Sequence, residues 1–167
     1  MQQRTQSSTR FLITAAMLAA IYAVLTLCIS PLAYGQLQFR LSEVMIWFAA
    51  VTPAAIPGLT LGCVLANLGS PYGLLDILCG SCATLLAALF AYFFHRIRWK
   101  GIPLLSPLGA VIFNAVLVGT VIKITSETPV LYLTAAAEVG FGELLVCYLV
   151  GIPFWLLLKK IGIANKL

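Results

Sequence analysis

The chain has 167 residues, of which 62% are hydrophobic and 9% are charged, and its formal net charge is +5. This composition excludes a soluble globular protein, and the length leaves no room for a second sizeable domain, so we expect a single membrane domain over residues 1–167. Basic loops at the membrane surface explain the positive charge, which is therefore no evidence of nucleic-acid binding.

Apolar segments define the predicted spans in chain order. The first follows a short basic flank, but it is too long for the apolar core of a signal peptide, so we expect it to be retained. The six segments are Phe11–Ser30, Val44–Val51, Ala54–Leu68, Leu74–Phe94, Leu104–Ile124 and Thr134–Leu158. Four of them are long enough for the roughly 20 helical residues that cross a bilayer, whereas the second and third are short.

The short second and third segments leave two interpretations open. They form one kinked span, or two spans separated at Thr52–Gly58, where Pro53 and Pro57 interrupt helical pairing. Charge favours two spans, because the positive-inside rule places every basic cluster on the cytoplasmic face. The clusters are Arg4 with Arg10, the stretch His95–Lys100, and Lys159, Lys160 and Lys166. The sequence therefore predicts an all-α bundle of six transmembrane helices with both termini in the cytoplasm.

Four of the five carboxylates fall at one depth in this layout. They are Glu43 and Asp76, at the outer ends of the second and fourth helices, and Glu138 and Glu143, in the outer half of the sixth. Ionisable groups inside spans cost about 2–4 kcal/mol each and usually face a bundle interior or a watery cavity. With Asn67 and Asn114 on the third and fifth helices, these residues predict one outward-facing polar pocket.

Most of these residues also have a purely structural interpretation. Arg40 and Glu43 are three apart and can pair at a helix start, and Asp76 can be a first-turn acid that complements the helix dipole. Asn67 can cap a helix end, and Asn114 can link two helices by a hydrogen bond. For these residues, the structural and the ligand-binding interpretations both stay open.

Glu143 is the hardest of the acids to explain structurally. It lies inside a span, it follows Gly140 and Gly142, and no Lys or Arg lies within one helical turn of it. We therefore expect it to bind the ligand. Two aromatic residues are candidates for stacking on a flat ligand: Tyr72, and Trp47, which an α-helix would place on roughly the same face as Glu43. For the tryptophans, a place in the interfacial aromatic belt is the alternative.

The first predicted helix carries a stripe of small residues. Ala15, Ala19 and Ala23 recur at every fourth position, with Ala16 and Ala20 beside them. Such a stripe lets a second helix approach closely in lipid. The partner is either another subunit or a helix of the same chain.

Metal and catalytic motifs are not indicated. Only Cys79 and Cys82, among five cysteines, show a CxxC spacing, and no second pair or nearby histidine completes a metal set. We find no HExxH motif and no convincing Ser-His or Cys-His arrangement, so we expect neither an enzyme nor a cofactor.

Several motifs together resemble a known family. The first helix reads AAMLAAIYA, and it is followed by QFRLSEVM, ANLGSPYGLLDILCGS, NAVLVG and a Glu-bearing last helix that contains GIP. In this order they resemble the QueT family of queuosine-precursor transporters, which are S components of energy-coupling factor (ECF) transporters. The likeness covers nearly the whole chain.

The resemblance implies a multi-pass protein of the bacterial plasma membrane. Such an S component captures a small nutrient from outside, here a 7-deazaguanine-type base, and docks through its alanine-striped helix on a membrane T component. Two ATPase subunits supply the energy, and this chain has no GxxxxGK[ST] phosphate loop of its own. Two alternatives are a self-sufficient small-molecule transporter and an S component for a different vitamin-like nutrient.

Overall fold

The structure, a computed structural model, describes residues 2–35, 38–126 and 131–164, with side chains from residue 7 onward. Within these ranges the secondary structure is helical and no strand forms. The α-helices are α1 (Gln2–Cys28), α2 (Ser30–Ala33), α3 (Ala55–Asn67), α4 (Leu74–Phe94), α5 (Leu108–Thr125), α6 (Tyr132–Leu144) and α7 (Gly151–Lys160). A 3₁₀-helix, Leu41–Ala50, precedes α3, and a π-helix, Leu145–Val150, joins α6 to α7.

Four stretches within the described part are long and apolar enough to cross a membrane: Ser7–Cys28, Leu74–Phe94, Leu108–Thr125 and Tyr132–Lys160. The 3₁₀-helix and α3 are apolar but shorter. These elements confirm the predicted class, an integral membrane protein built from helices. The side chain of Arg4 and the whole of Lys166, which entered the charge argument, lie outside the described residues.

The two short segments are separate elements, so the interpretation as one kinked helix is wrong. Ser42 at the start of the 3₁₀-helix hydrogen-bonds Thr26, near the end of α1. In α3, by contrast, Gly58 lies against Ala15 and Gly62 lies against Ala19. The 3₁₀-helix therefore runs back along α1 from the end of that helix. The chain then reverses, so that α3 runs parallel to α1. Pro57 falls in the first turn of α3, where its missing N–H is tolerated.

The alanine stripe of α1 divides between the interior and the surface. Ala15, Ala19 and Ala23 are buried. A Cβ added at Gly62 of α3 would lie only 2.8 Å from Ala19 O, so the two backbones touch through small residues. The alternative that the stripe packs within the chain therefore describes these three alanines, whereas Ala16 and Ala20 are exposed.

The π-helix interrupts the α-helical winding of the sixth predicted segment. The Gly151 N–H would reach Cys147 O in an α-helix, but here it reaches Val146 O and Tyr148 O. The indole N–H of Trp47, on the 3₁₀-helix, donates to Cys147 O at 3.0 Å. A Cβ at Gly151 would lie 2.2 Å from Trp47 Nε1, so only glycine fits here. The π turn thus joins the last segment to the 3₁₀-helix, and π turns often occur at functional sites.

Candidate functional site

Buried polar side chains form two groups in the interior. The first, here called the Arg40 cluster, consists of Gln38, Arg40, Asn67, Ser70 and Asp76. The second, here called the carboxylate cluster, consists of Glu43 and Glu143 with Tyr22, Thr84, Asn114 and Cys147. Of the acidic residues predicted for the site, all except Glu138 thus lie in one of the two clusters.

A buried ion pair is the centre of the Arg40 cluster. Arg40 Nη2 lies 3.2 Å from Asp76 Oδ1 and 3.1 Å from Asp76 Oδ2, and the two side chains are 2% and 0% exposed. Arg40 Nε also donates to Gln38 Oε1 at 2.9 Å. The alternative in which Arg40 pairs with Glu43 is therefore wrong: Arg40 instead connects the start of the 3₁₀-helix to the start of α4.

The turn between α3 and α4 closes around this ion pair. Ser70 Oγ donates to Asp76 Oδ2 at 2.6 Å, and Asn67 Nδ2 donates to Asp76 O at 2.8 Å. A Cβ at Gly80, one turn further along α4, would lie 2.6 Å from Asn67 Nδ2, so the amide occupies the space that glycine leaves. Asn67 therefore bonds the neighbouring helix and does not cap its own.

Two tyrosines, Tyr34 and Tyr72, lie beside the Arg40 cluster. Tyr34 OH donates to Ala66 O at 2.6 Å, and Tyr72 OH donates to Tyr34 O at 2.9 Å. The Arg40 guanidinium lies 5.5 Å from the centre of the Tyr34 ring, within cation–π range. Tyr72 is a predicted stacking residue, and its hydroxyl bonds the segment that contains Tyr34.

Glu43 is anchored on one oxygen only. Tyr22 of α1 donates a short hydrogen bond to Glu43 Oε1, and Thr84 of α4 lies 3.5 Å from the same atom. Oε2 is buried and has no hydrogen-bond partner among the described residues. Glu43 therefore offers a free acceptor to the interior.

Glu143 approaches the same region from α6. Asn114 Nδ2 donates to Glu143 Oε1 at 3.1 Å, which is the helix-to-helix link expected as one alternative for Asn114. Cys147 Sγ lies 3.7 Å from Glu143 Oε2 and 3.8 Å from Glu43 O. One thiol therefore contacts the carboxylate of Glu143 and the main-chain carbonyl of Glu43, which places these two residues beside each other.

Trp47 packs inside the protein. It is fully buried, and its ring centre is 5.4 Å from that of Trp155, which is also buried. The 3₁₀-helix has three residues per turn, so residues four apart point roughly 120° apart. The predicted common face of Trp47 and Glu43 assumed an α-helix and is therefore wrong.

Glu138 lies apart from both clusters. It is half-buried and has no hydrogen bond or ion pair among the described residues. The carboxylates of Glu138 and Glu143 are five positions apart, which places them roughly 140° apart around an α-helix. They therefore cannot both face the same pocket.

Sequence reasoning missed Tyr22, Thr84, Cys147 and Gln38. Tyr22 follows Ala15 and Ala19 on the buried face of α1, and this position could have been recognised, because a tyrosine in mid-span needs a polar partner. Gln38 is buried with φ 47°, a region that non-glycine residues rarely adopt, and its Nε2 has no partner among the described residues. No local sequence pattern indicates that Gln38 is buried or that it adopts this backbone conformation.

Fold and site together define a multi-pass helical protein of the cell membrane with a buried polar interior. The chain belongs to the QueT transporter family, whose model matches residues 12–160. It is similar to the Queuosine precursor transporter QueT of Lactococcus lactis subsp. cremoris (strain MG1363), with 29% identity over 145 residues that cover 81% of this chain and 85% of the relative. No solved structure matches the chain significantly. The chain is therefore a substrate-binding membrane transporter.

Proposed function

We propose that this chain captures a queuosine precursor, a 7-deazaguanine-type base, from outside the cell. The relative from Lactococcus lactis is named a queuosine precursor transporter. Such a base has adjacent N–H donors on one edge, a carbonyl acceptor beside them and two flat apolar faces. It therefore requires acceptors, a donor and an apolar or aromatic surface from its site.

The observation that carries this proposal is a set of buried polar atoms without partners. Among the described residues these include the acceptors Glu43 Oε2 and Asn67 Oδ1 and the donor Gln38 Nε2. Buried polar groups are normally satisfied, and each unsatisfied one costs about 1–3 kcal/mol. A base that donates to the first two and accepts from the third would satisfy all of them.

The site residues predicted from the sequence take distinct roles in this proposal. Glu43, Glu143, Asn67 and Asn114 contact the base, and Trp47 supplies an apolar wall below them. Three residues have a structural role and do not contact the base: Arg40, Asp76 and Tyr72. The ion pair joins the 3₁₀-helix to α4, and the Tyr72 hydroxyl bonds Tyr34 O. Glu138 stays outside the site because it faces away from Glu143.

Six crossings with both termini in the cytoplasm are the proposed topology. The reversal between the 3₁₀-helix and α3 supports it, as do the basic residues between α4 and α5 and at the end of α7. Two exposed aliphatic residues lie on opposite sides in this topology, Ile97 after α4 and Leu131 before α6.

Cysteine labelling tests this topology in a variant that lacks Cys28, Cys79 and Cys82, because Cys63 and Cys147 are buried. We expect a membrane-impermeant thiol reagent, applied to intact cells, to label Leu131→Cys and to leave Ile97→Cys unlabelled until the cells are opened. Labelling of Ile97→Cys from outside would contradict six crossings.

We further propose that the chain works as the S component of an ECF-type importer, with a T component and two ATPase subunits. The support is the exposed pair Ala16 and Ala20, one turn apart on α1, which leaves a shallow strip on the lipid-facing surface. The buried alanines of the stripe are not available to a partner. The docking surface is therefore proposed at Ala16 and Ala20 alone.

Substitution at Ala20 tests the docking surface. We expect Ala20→Leu to abolish uptake of a 7-deazaguanine base and co-purification with the T component, because a bulky side chain keeps the partner helix away. Base binding by the purified chain should stay unchanged. Ala137→Leu, at an exposed alanine of α6, is the matched control and should leave uptake intact. Uptake into vesicles that contain this chain alone would favour a self-sufficient transporter instead.

A further inference from the structure

Basic side chains collect at the end of the bundle where two candidate spans finish. One of these spans ends at Phe94, with α4, and the other ends at Lys160, with α7. The exposed cations there, here called the basic face, are Arg96, Arg98, Lys100, Lys159 and Lys160. The loop after α4 meets the end of α7, because a Cβ added at Gly101 would lie only 3.1 Å from Lys159 Nζ. One surface therefore carries both groups of cations.

The chain supplies no carboxylate side chain to neutralise the basic face. Asp and Glu are missing from residues 77–126 and 144–167. Glu43 and Glu143 are buried, and Asp76 lies in the first turn of α4, at the opposite end of that helix. In the part of the chain that the structure describes, the ion pair that forms is the one between Arg40 and Asp76. Molecules outside this chain must therefore balance the charge of the basic face.

A tight turn fixes how the loop after α4 presents its side chains. The Trp99 N–H donates to Ile102 O at 2.9 Å, and the Ile102 N–H donates to Trp99 O at 3.0 Å. Between them, Lys100 and Gly101 have φ values of 51° and 80°, as in a type I′ turn. Lys100 Nζ lies 5.1 Å from the centre of the Trp99 ring, within cation–π range. The loop therefore holds a cation beside an aromatic ring in a defined geometry.

Exposed apolar side chains alternate with the cations of this loop. Ile97 and Trp99 are 54% and 66% exposed, and they stand between Arg96, Arg98 and Lys100. Tryptophan is enriched at the headgroup level of a membrane, and Arg and Lys near the ends of spans keep their apolar stems in lipid and their charges in water. Such a mixture at the end of two spans fits a lipid surface. An acidic protein surface would leave the apolar side chains unmatched.

We propose that the basic face binds the headgroups of anionic phospholipids. Their phosphate groups supply the negative charge that the chain lacks at this end, and both Arg and Lys bind phosphate. Each cation close to an anionic membrane surface adds to the attraction, so the basic face favours an anionic lipid over a zwitterionic one. This lipid site is separate from the proposed substrate site, which lies in the buried interior.

The fluorescence of Trp99 measures which lipid lies beside the basic face, because Trp47 and Trp155 are buried. The purified full-length chain is placed in phosphatidylcholine nanodiscs with a minor fraction of brominated phosphatidylglycerol, or with the same fraction of brominated phosphatidylcholine. Bromine quenches nearby tryptophans, and subtraction of the Trp99→Phe signal isolates Trp99. We expect the anionic lipid to quench Trp99 about twofold or more as strongly as the zwitterionic lipid. High NaCl should remove the difference by screening.

Two variants separate charge from other effects. The first combines Arg96→Gln, Arg98→Gln, Lys159→Gln and Lys160→Gln, and it should be quenched equally by the two lipids. The second, Lys123→Gln, changes an exposed lysine in the last turn of α5 and should keep the preference for the anionic lipid. Equal quenching of the wild type by both lipids would overturn the inference and would point to an acidic protein surface as the partner. A preference that persists in the fourfold variant or in high NaCl would also overturn it, because the charges would not be its cause.

Discussion

Replacement of Arg40 by methionine should destabilise the folded protein by about 3–5 kcal/mol, because it leaves a buried carboxylate without its cation. Asp76 is fully buried, and both of its oxygens contact Arg40 Nη2 at 3.1–3.2 Å. The hydrogen bonds from Ser70 and Asn67 cannot replace that charge. The unfolding free energy of the purified protein in detergent measures the effect.

Two control variants make the Arg40 result specific. Arg40→Met combined with Asp76→Leu removes both charges, and it should recover most of the lost stability, since apolar replacement of a whole buried pair is often nearly neutral. Arg96→Met removes an exposed arginine from the loop after α4 and should have little effect. If the single and double variants are equally destabilised, the loss comes from packing and not from the unpaired charge.

The second large effect is expected at Glu143. Glu143→Gln should weaken binding of a 7-deazaguanine-type base by about tenfold or more, because a charge-assisted hydrogen bond from an N–H of the base to the carboxylate becomes a weaker, neutral one. The variant should still insert and fold, because a neutral amide is easier to bury and its oxygen can still accept from Asn114. Titration calorimetry measures the affinity.

Glu138→Gln is the matched control, because it makes the same substitution on the same helix at a half-buried acid without a partner among the described residues. It should bind the base like the wild type. If Glu143→Gln and the wild type bind with equal affinity, Glu143 is not in the site. A loss at Glu138→Gln instead would place the ligand on the other side of α6.

The depth of the polar residues could be predicted from the sequence. Hydropathy predicts where each helix lies along the membrane normal, and it places Glu43 and Glu143 at one depth. In the structure the Cys147 thiol contacts the Glu143 carboxylate and the main-chain carbonyl of Glu43. The direction around each helix axis could not be predicted in the same way. It depends on neighbouring helices, so Glu138 was grouped with Glu143 although the two point apart.

Helix type is a second feature that the sequence does not reveal. The prediction for Trp47 assumed 3.6 residues per turn, whereas Leu41–Ala50 winds as a 3₁₀-helix of ten residues, far longer than such helices usually are. This segment is buried between α1, α4 and the π-helix, and tertiary packing routinely overrides a local preference for the α-helix. The sequence of Leu41–Ala50 alone is equally compatible with an α-helix.

The partner of a small-residue stripe is a third such feature. Ala15 and Ala19 predict a close helix contact, and the contact exists, but the partner is α3 through Gly58 and Gly62. Those two glycines have the same four-residue spacing, which could have indicated the pairing. The sequence shows that a helix can approach closely and does not show which one.

The central claim is that the buried polar interior binds a 7-deazaguanine-type base, and titration of the purified wild-type chain tests it most directly. The account predicts saturable binding of the base, and no competition from 7-deazaadenine, whose amino group replaces the carbonyl acceptor and reverses the donor and acceptor order at that edge. A titration that shows no binding of any 7-deazaguanine, or equal binding of 7-deazaadenine, would contradict the claim.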